Sequence, residues 1–346
     1  MKILIVKLSS IGDIVHTLPA LAGIRTAFPG AKIGWAVECS SAEIIRGNPL
    51  IDELIELDTR SLRNNRRIEE LLIDAGRQIT ELRKYEFDIS IDFQGLVKSA
   101  LVGKFTRAGS RFGFSKSGLR EPAARFLLTE TIDLPPEIHV IEKNLRLAER
   151  SLGIEIGRAE LQFPISTGSS HRGEAEALVA GAGRPFAILN PAGGWPTKLW
   201  EAERFGELAV RLDRELGLRS VIVTGPNESD LAERAAAHAG DSTPLTASPT
   251  LKGLYELARR AAVYVGGDTG PTHLAVAARC PVVGIFGPTE WWRNGSPFPD
   301  DLCVERVDID CRVDCHRRSC SNWICMEISV DQVFNAVFKR LSTVNS

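Results

Sequence analysis

The chain has 346 residues, of which 44% are hydrophobic and 25% charged, a composition close to the average of soluble globular proteins. The length predicts two domains, and the composition excludes a disordered, collagen-like or coiled-coil chain. Lysine and arginine total 42 and acidic residues 44, so the formal net charge of −2 gives no electrostatic argument for nucleic-acid binding. The sequence has no run of about 18 uncharged apolar residues, so no segment is predicted to span a bilayer.

The N-terminus begins with a short apolar run, Ile3–Val6, which Lys7 interrupts and Asp13 and His16 follow. Because no small-residue cleavage site follows, this run is predicted to be the buried first strand of a cytoplasmic protein rather than a signal peptide. The seven cysteines agree with that compartment, since an odd number with four in one 15-residue stretch is a poor disulfide framework.

Short β-rich apolar runs alternate with amphipathic stretches along almost the whole chain. The strands predicted in this way are Ile3–Val6, Ile33–Val37, Glu53–Leu57, Asp88–Asp92, Phe186–Asn190, Ser220–Thr224, Ala262–Gly266 and Val282–Phe286. The predicted helices include Leu18–Ala27, Arg67–Lys84, Glu201–Leu216 and Ser229–Ala239. Continuous apolar strands joined by crossover helices predict parallel sheets that are covered on both faces.

The alternation breaks near residues 163–172, where proline, glycine and serine cluster, and then restarts. This break is predicted to be an interdomain linker. We therefore expect an α/β chain with two doubly wound domains, residues 1–165 and 173–328. A last helix within 329–346 is expected to pack back on the N-terminal domain. Ligands of open α/β sheets bind outside the carboxyl ends of strands, so the cleft between the domains is the expected site.

The loop over residues 7–16 follows the first strand and carries one carboxylate. Asp13 is a candidate general base, and Gly12 would let the backbone approach a ligand. The alternative is that Ser9, Ser10 or Asp13 only caps the helix that starts near Ile14. Gly12 stands alone, without a G-x-G-x-x-G fingerprint, which argues against a nicotinamide enzyme.

Two loops of the second half carry groups that suit a nucleotide. Adjacent Gly193 and Gly194 would let backbone N–H groups reach a phosphate, and Lys198 would add a point charge. The alternative is a turn with a solvated lysine, and the spacing does not match a P-loop. Glu228, after the next strand, is a candidate ribose ligand or a carboxylate that only begins a helix.

The most specific loop spans residues 265–275, where two glycines and the sequence Asp-Thr-Gly-Pro at 268–271 lead from a strand into a helix. The N–H groups and dipole of a helix N-terminus form a binding site for a pyrophosphate. Pro271 suits the first helical turn, where its missing donor has no cost. A helix cap alone would not need this many special residues.

Several short motifs occur together in a fixed order: Lys7–Asp13 with His16–Ala20, Ile91–Ala100, Arg120–Pro122, Asp268–His273 and Gly287–Thr289. In that order and spacing they resemble the motifs of glycosyltransferase family 9, the heptosyltransferases, and most closely those of its heptosyltransferase I members. The resemblance runs over most of the chain. It implies the glycosyltransferase B fold, in which two Rossmann-like domains face each other across a cleft.

The resemblance also implies an activity: inverting transfer of heptose from ADP-heptose to the acidic inner-core sugar of lipopolysaccharide. Catalysis is then assigned to Asp13, as the base on the acceptor hydroxyl, and to Lys198. The resemblance implies that the nucleotide sugar is bound by Gly193, Gly194, Thr197, Glu228, Asp268, Thr269, Gly270 and His273. We expect no obligatory cofactor or metal, because no Asp-x-Asp motif ends a strand in these loops and a lysine with helix N–H groups can stabilise a departing diphosphate.

Basic residues are concentrated in the N-terminal half, with seven against one acidic residue between Gln94 and Arg125. Such a face suits an anionic acceptor such as the acidic sugars and phosphates of a lipid A core, and transient contact with the cytoplasmic face of the inner membrane. The alternative is an ordinary solvated surface; nucleic acid is disfavoured because no binding motif or aromatic interleaving is present. The predicted acceptor-binding residues are Ser10, Gly12, Arg60, Arg63, Gln94, Lys98 and Arg120.

The C-terminal region carries Cys311, Cys315, Cys320 and Cys325. These cysteines could bind a structural zinc ion, although the usual C-x₂-C pair is missing, and reduced or paired structural cysteines are the favoured interpretation. Similar tails occur in some members of the family but are not associated with heptosyltransferase I.

Two alternative functions therefore stay open. One keeps the family and changes the donor or acceptor, as in a heptosyltransferase II-like enzyme. The other is a nonenzymatic nucleotide-binding protein, against which the presence of both Asp13 and Lys198 argues.

Overall fold

The computed structural model describes residues 1–58, 76–311, 315 and 317–343. The chain divides into two compact units, Met1–Ser166 and Thr167–Ser346, and the division lies inside the segment 163–172. The predicted helix Arg67–Lys84 lies partly outside the described residues, and residues 76–82 are helical. None of the helices described is both long enough and apolar enough to cross a membrane.

The first unit contains a parallel sheet with helices. Its strands are β1 (Lys2–Val6), β2 (Lys32–Glu38), β3 (Glu53–Leu57), β4 (Ile89–Asp92), β5 (Ser110–Phe114) and β6 (Glu130–Ile132). Besides the helical residues 76–82, its helices are α1 (Ile11–Val15), α2 (Leu18–Ala27), α3 (Val97–Phe105) and α4 (Val140–Leu152), with 3₁₀ turns at Cys39–Ile44 and Pro122–Leu127. In the described part of this unit the strand order is β3-β2-β1-β4-β5-β6, and each neighbouring pair is parallel.

The second unit contains another parallel sheet. Its strands are β7 (Phe186–Asn190), β8 (Arg219–Val223), β9 (Leu245–Ala247), β10 (Val263–Gly267), β11 (Val282–Phe286) and β12 (Leu302–Glu305). Its helices are α5 (Ser169–Ala182), α6 (Ala202–Leu216), α7 (Ser229–Ala237), α8 (Leu251–Ala258), α9 (Gly270–Ala277), α10 (Trp291–Asn294) and α11 (Val330–Ser342). The strand order is β12-β11-β10-β7-β8-β9, again with parallel pairs.

Both sheets therefore have the doubly wound order, in which the first strand is central and the chain then builds outward on each side in turn. The order reverses between β1 and β4 in the first sheet and between β7 and β10 in the second. Ligands of such sheets bind at the carboxyl ends of the strands that flank this switch point. The loops after these four strands are therefore the ones that matter for function.

The central strands of the second sheet, β7, β10 and β11, have no exposed residue. Strands covered on both faces need apolar side chains at every position, which is why they appear in the sequence as continuous apolar runs. The predicted α/β class with two parallel, doubly wound sheets is confirmed.

The predicted position of the last helix on the N-terminal domain is wrong. Val333, Phe334 and Val337 of α11 belong to the hydrophobic core of the second unit, where the helix contacts α6, β11 and β12. The reason is the amphipathic pattern of α11, whose apolar stripe covers one side of the second sheet. Arg340 adds an ion pair with buried Asp301, in which Nε lies 2.9 Å from Oδ1.

We expect Phe334→Ala to lower the free energy of unfolding by roughly 3–5 kcal/mol, because a large buried side chain is deleted from a packed core. Phe334 is 5% exposed, whereas Phe338 on the same helix is 55% exposed. Phe338→Ala is therefore the matched control, with an expected loss of about 0.5 kcal/mol or less. Urea unfolding of both variants measures the difference, and equal losses would contradict the placement of α11.

Candidate active site

Asp13 lies in α1, just beyond the carboxyl end of β1. Its Oδ2 accepts hydrogen bonds from the backbone N–H of Ser10 at 3.1 Å and from the Ser10 hydroxyl at 3.0 Å. Its Oδ1 lies 3.6 Å from Lys7 Nζ and 4.0 Å from a guanidinium nitrogen of Arg120. Burial alone would raise the pKa of Asp13, but the charges of Lys7 and Arg120 outweigh it and hold the pKa well below its usual range. The carboxylate therefore takes part in the helix cap and also stays ionised at neutral pH.

The loop that carries Asp13 is fastened to the end of β4. The side-chain carbonyl of Gln94 accepts hydrogen bonds from the backbone N–H groups of Leu8 and Ser9, at 3.1 and 3.2 Å. The buried ammonium group of Lys7 donates to the carbonyl of Phe93 at 2.8 Å. These contacts cross the switch point and fix the backbone on which Asp13 stands.

Asp92, the last residue of β4, shapes the turn that holds Gln94. Its Oδ1 accepts from the N–H groups of Gln94 at 2.8 Å and Gly95 at 3.1 Å, and its Oδ2 accepts from the Ser99 hydroxyl at 2.8 Å. Gly95 has a φ of +74°, a left-handed conformation that favours glycine. Burial raises the pKa of Asp92 to about 6, although these hydrogen bonds favour its ionised form.

The predicted acceptor residues fall into three groups. Ser10, Gln94 and Arg120 lie around Asp13 or its loop, and the Arg120 side chain is 60% exposed. Lys98 makes an ion pair with buried Glu38 at 2.8 Å. Gly12 is buried inside α1, whereas Arg60 and Arg63 lie outside the described residues.

In the second unit, Lys198 and Asp268 meet across the switch point. Lys198 Nζ lies 2.6 Å from Asp268 Oδ2 and 4.3 Å from the centre of the Trp195 ring. His273 Nε2 lies 3.2 Å from the other carboxylate oxygen of Asp268. Burial alone would raise the pKa of Asp268, but His273 and Lys198 outweigh it and lower the pKa. The cluster joins the loop after β7 to the start of α9.

The N-terminus of α9 is open to an anion. Thr269 is the N-cap residue with extended backbone, and its side chain makes no capping hydrogen bond. The N–H groups of the first turn, together with the helix dipole, form a candidate anion site, and Lys198 contacts Asp268 directly before Thr269. A Cβ on Gly267 would lie 3.2 Å from the Lys198 carbonyl, so glycine permits the close approach of the two loops.

The remaining predicted donor residues have these positions. Thr197 is buried next to Lys198, Gly193 is half-buried and Gly194 is exposed with open space around it. Glu228 accepts a hydrogen bond from the Gly225 N–H at 2.9 Å at the start of α7. The contact that Glu228 makes in the structure is thus the local one, which leaves its second carboxylate oxygen for a ligand.

The cysteines of the C-terminal region line one small cavity, together with Thr197, Pro288, Ile309 and Trp323. None of these four cysteines forms a disulfide in the described part of the chain. Burial raises the pKa of the Cys325 thiol, and the other three thiols act in the same direction. The cysteines described are therefore neighbours in space, although they are spread over 15 residues.

Sequence analysis missed three groups of this site: Lys7 as a partner of Asp13, Asp92 as the residue that shapes the turn, and Glu38 as the partner of Lys98. A signal for the first was present, because a lysine directly after a fully apolar strand needs a buried partner. Asp92 could have been found in the same way at the end of the fourth strand. The pairing of Glu38 with Lys98 links residues 60 positions apart and left no sequence signal.

Known proteins resemble the chain in sequence and in fold. The family model of glycosyltransferase family 9 (heptosyltransferase) matches residues 76–322. Lipopolysaccharide heptosyltransferase 1 of Pseudomonas aeruginosa is 29% identical over 319 residues, which cover 89% of this chain and 87% of that protein.

Two solved structures extend the comparison over the whole fold. The E. coli heptosyltransferase WaaC with ADP-2-deoxy-2-fluoro heptose is 26% identical, with a TM-score of 0.75 and full coverage of both chains. A glycosyltransferase family 9 protein of Veillonella parvula is 22% identical, with a TM-score of 0.83 over 99% of this chain and 97% of that one. These matches confirm the glycosyltransferase B fold.

The raised pKa of Asp92 predicts a specific pH dependence. A folded-state pKa of about 6, above the ordinary 3.8, means that the folded chain binds the proton more tightly, so this group contributes less stability as the pH rises from 4 to 6. Asp92→Asn keeps an acceptor for Gln94 and Gly95 and does not titrate. We expect its stability relative to wild type to increase by up to roughly 3 kcal/mol between pH 4 and pH 7, since each pKa unit is worth about 1.4 kcal/mol.

Urea unfolding at several pH values measures this difference. Asp88→Asn is the matched control, because Asp88 directly precedes β4 and its side chain is 63% exposed. A pH response of Asp92→Asn that is the same as that of wild type would contradict the raised pKa.

Proposed function

This chain belongs to glycosyltransferase family 9, and on that premise we propose that it transfers heptose from ADP-heptose to the acidic inner-core sugar of lipopolysaccharide, with inversion at the anomeric carbon. The observation that carries the proposal is the pair of switch-point sites: a carboxylate on the first sheet and a lysine beside a helix N-terminus on the second. The names of the similar proteins support the sugar, the acceptor pathway and the ADP leaving group.

On the acceptor side, Asp13 is the general base. The acceptor oxygen attacks the anomeric carbon from the face opposite the diphosphate, and its proton moves to the Asp13 carboxylate. The ionised state of Asp13 suits this role, although its lowered pKa makes it a weak base while both cations are near. Of these two cations, Lys7 and Arg120, Arg120 is the exposed one. An anionic acceptor that binds Arg120 therefore weakens its interaction with Asp13 and raises the proton affinity of the carboxylate.

On the donor side, Lys198 and α9 stabilise the leaving group. The bond from the anomeric carbon to the phosphate oxygen breaks, and ADP leaves with the electron pair. The Lys198 ammonium and the N–H groups at the α9 N-terminus then face the negative charge that develops on the diphosphate. Asp268 and His273 position these groups, and Glu228 is the proposed ribose ligand. We expect turnover without an added divalent cation, because these groups supply the positive charge.

The acceptor class is supported by charge. Exposed cations of the first unit include Lys104, Lys116, Arg120 and Arg125, in a segment that has one acidic residue between Gln94 and Arg125. Such cations suit the carboxylates and phosphates of a lipid A core and transient contact with the anionic membrane that holds it. The cysteine-bearing region departs from the heptosyltransferase I pattern, so one further candidate stays open: a family 9 transferase that adds heptose to an already heptosylated core.

The first test compares two acceptors in an ADP-release assay with ADP-heptose: lipid A that bears only its acidic sugars, and the same core with one heptose. We expect release with the first acceptor. Release with the second alone would favour the further candidate. No release with either, together with no ADP binding by calorimetry, would overturn the proposal.

Asp13→Asn tests the base. The amide keeps the contact with Ser10 but cannot take a proton, so we expect turnover to fall at least about 100-fold while ADP binding stays nearly unchanged. The matched control is Glu86→Gln, whose side chain is 73% exposed in the same unit. Near-normal turnover of Asp13→Asn would remove this residue from the base role.

Lys198→Ala tests the donor side. The positive charge of Lys198 interacts more strongly with the departing diphosphate than with the intact donor. We therefore expect its removal to lower turnover by roughly 100-fold or more and to weaken ADP binding. Lys339→Ala, an exposed lysine of α11, is the matched control. If the rate depends on donor concentration in the variant as it does in wild type, Lys198 lies outside the site.

A further inference from the structure

Cys311, Cys315, Cys320 and Cys325 line one cavity of about 20 Å³. A space of this size accommodates about one water-sized body, so it suits a single ion and not an organic cofactor. Cys311 and Cys320 are exposed, whereas Cys315 and Cys325 are half-buried, so the cavity can be reached from solvent.

We propose that these four cysteines form a tetrahedral thiolate site for one thiophilic cation, zinc or iron. Four sulfur ligands in tetrahedral arrangement are typical of these two metals in proteins. Binding replaces four S–H bonds by four metal–sulfur bonds and releases four protons. Among the described residues no group of three or more ligands stands in coordinating geometry, so the proposed site requires the thiols to move together when the ion binds.

Cations near the cavity suit the anionic complex that four thiolates form with a divalent ion. Arg317 is part of the cavity wall. Arg306 donates a hydrogen bond to the carbonyl of Ile324, the residue before Cys325, at 3.5 Å. Arg306 also pairs with Asp308 and Glu327. Arg317 is therefore the cation that we expect to stabilise deprotonated ligands, as outer-shell partners do at metal sites.

The cysteine segment is bound to the donor loop through Thr197. The Thr197 hydroxyl donates to the carbonyl of Arg317 at 2.6 Å, and the indole N–H of Trp323 donates to the carbonyl of Thr197 at 2.9 Å. Thr197 directly precedes Lys198, whose ammonium group contacts Asp268. A metal ion that fixes the cysteine segment therefore also positions Lys198.

The first experiment measures metal content. The full chain is purified under reducing conditions without chelator, and zinc and iron are counted by mass spectrometry; we expect about one ion per chain. Cys311→Ser and Cys320→Ser should lose most of it, and because both residues are exposed these variants should still fold. Cys39→Ser, at an exposed cysteine of the first unit, is the matched control and should keep the ion.

Absorption spectra identify the metal. Bound iron gives thiolate charge-transfer bands, and exchange of a colourless zinc ion for cobalt gives the visible bands of a tetrahedral thiolate complex. The site is disproved if reduced wild type takes up no zinc, iron or cobalt, or if the serine variants keep the ion. The site is also disproved if thiol titration finds that the four cysteines form two disulfides and the chain takes up no metal after these are reduced.

The second experiment tests the link to Lys198, which rests on the proposed function. We expect removal of the ion to weaken ADP binding by roughly ten-fold, the scale on which outer-shell contacts act. Trp323→Phe removes the hydrogen bond to Thr197 and keeps an aromatic ring at the cavity wall, so it should weaken ADP binding while it keeps the ion. Unchanged ADP affinity after metal removal overturns the link but not the site, and metal-loaded wild type that binds no ADP overturns the proposed function alone.

Discussion

A carboxylate in a protein interior must be hydrogen-bonded or paired, and each sheet of this chain places one at the end of its fourth strand. Asp92 at the end of β4 is surrounded by neutral donors, and burial raises its pKa. Asp268 after β10 has Lys198 and His273 as partners, which lower its pKa. The two sheets thus use one topological position in two ways. Asp92 shapes the turn that fastens the Asp13 loop, and Asp268 orients a lysine toward a helix N-terminus.

A lysine after the first strand of each sheet completes this arrangement. Lys7 follows β1 and contacts the carbonyl of Phe93 after β4, and Lys198 follows β7 and contacts Asp268 after β10. Both side chains cross the switch point and hold its two sides together. Their exposure differs, because the Lys7 side chain is 5% exposed and serves the fold, whereas the Lys198 side chain keeps 13% of its surface accessible. This difference agrees with a structural lysine in the first sheet and a ligand-facing one in the second.

Apolar runs predicted β1 to β4 and β7, β8, β10 and β11 within one or two residues, although β3 lies at the edge of the first sheet. They did not reveal β5, β6, β9 or β12, which lie toward the edges. β6 and β9 have three residues each and carry polar side chains, so neither produces a continuous apolar run. The candidate site loops were predicted from glycines and charged residues at strand ends, which are local signals. The contacts of Gln94 with Leu8 and Ser9 could not be predicted in this way, because they join residues that are 86 and 85 positions apart.

The loop after β7 shows why local pattern is insufficient here. It contains adjacent glycines and one 3₁₀ turn, Pro196–Lys198, so its own sequence gives it little rigidity. Hydrogen bonds from distant parts of the chain keep this loop in place. Lys198 donates to Asp268, 70 residues further along the chain. Thr197 is hydrogen-bonded to Arg317 and Trp323, which lie 120 and 126 residues away. A lysine that stabilises a transition state must already be in place before charge develops. The cysteine-bearing segment therefore helps to fix the backbone from which Lys198 extends, and under the proposed function it contributes in this way to donor binding.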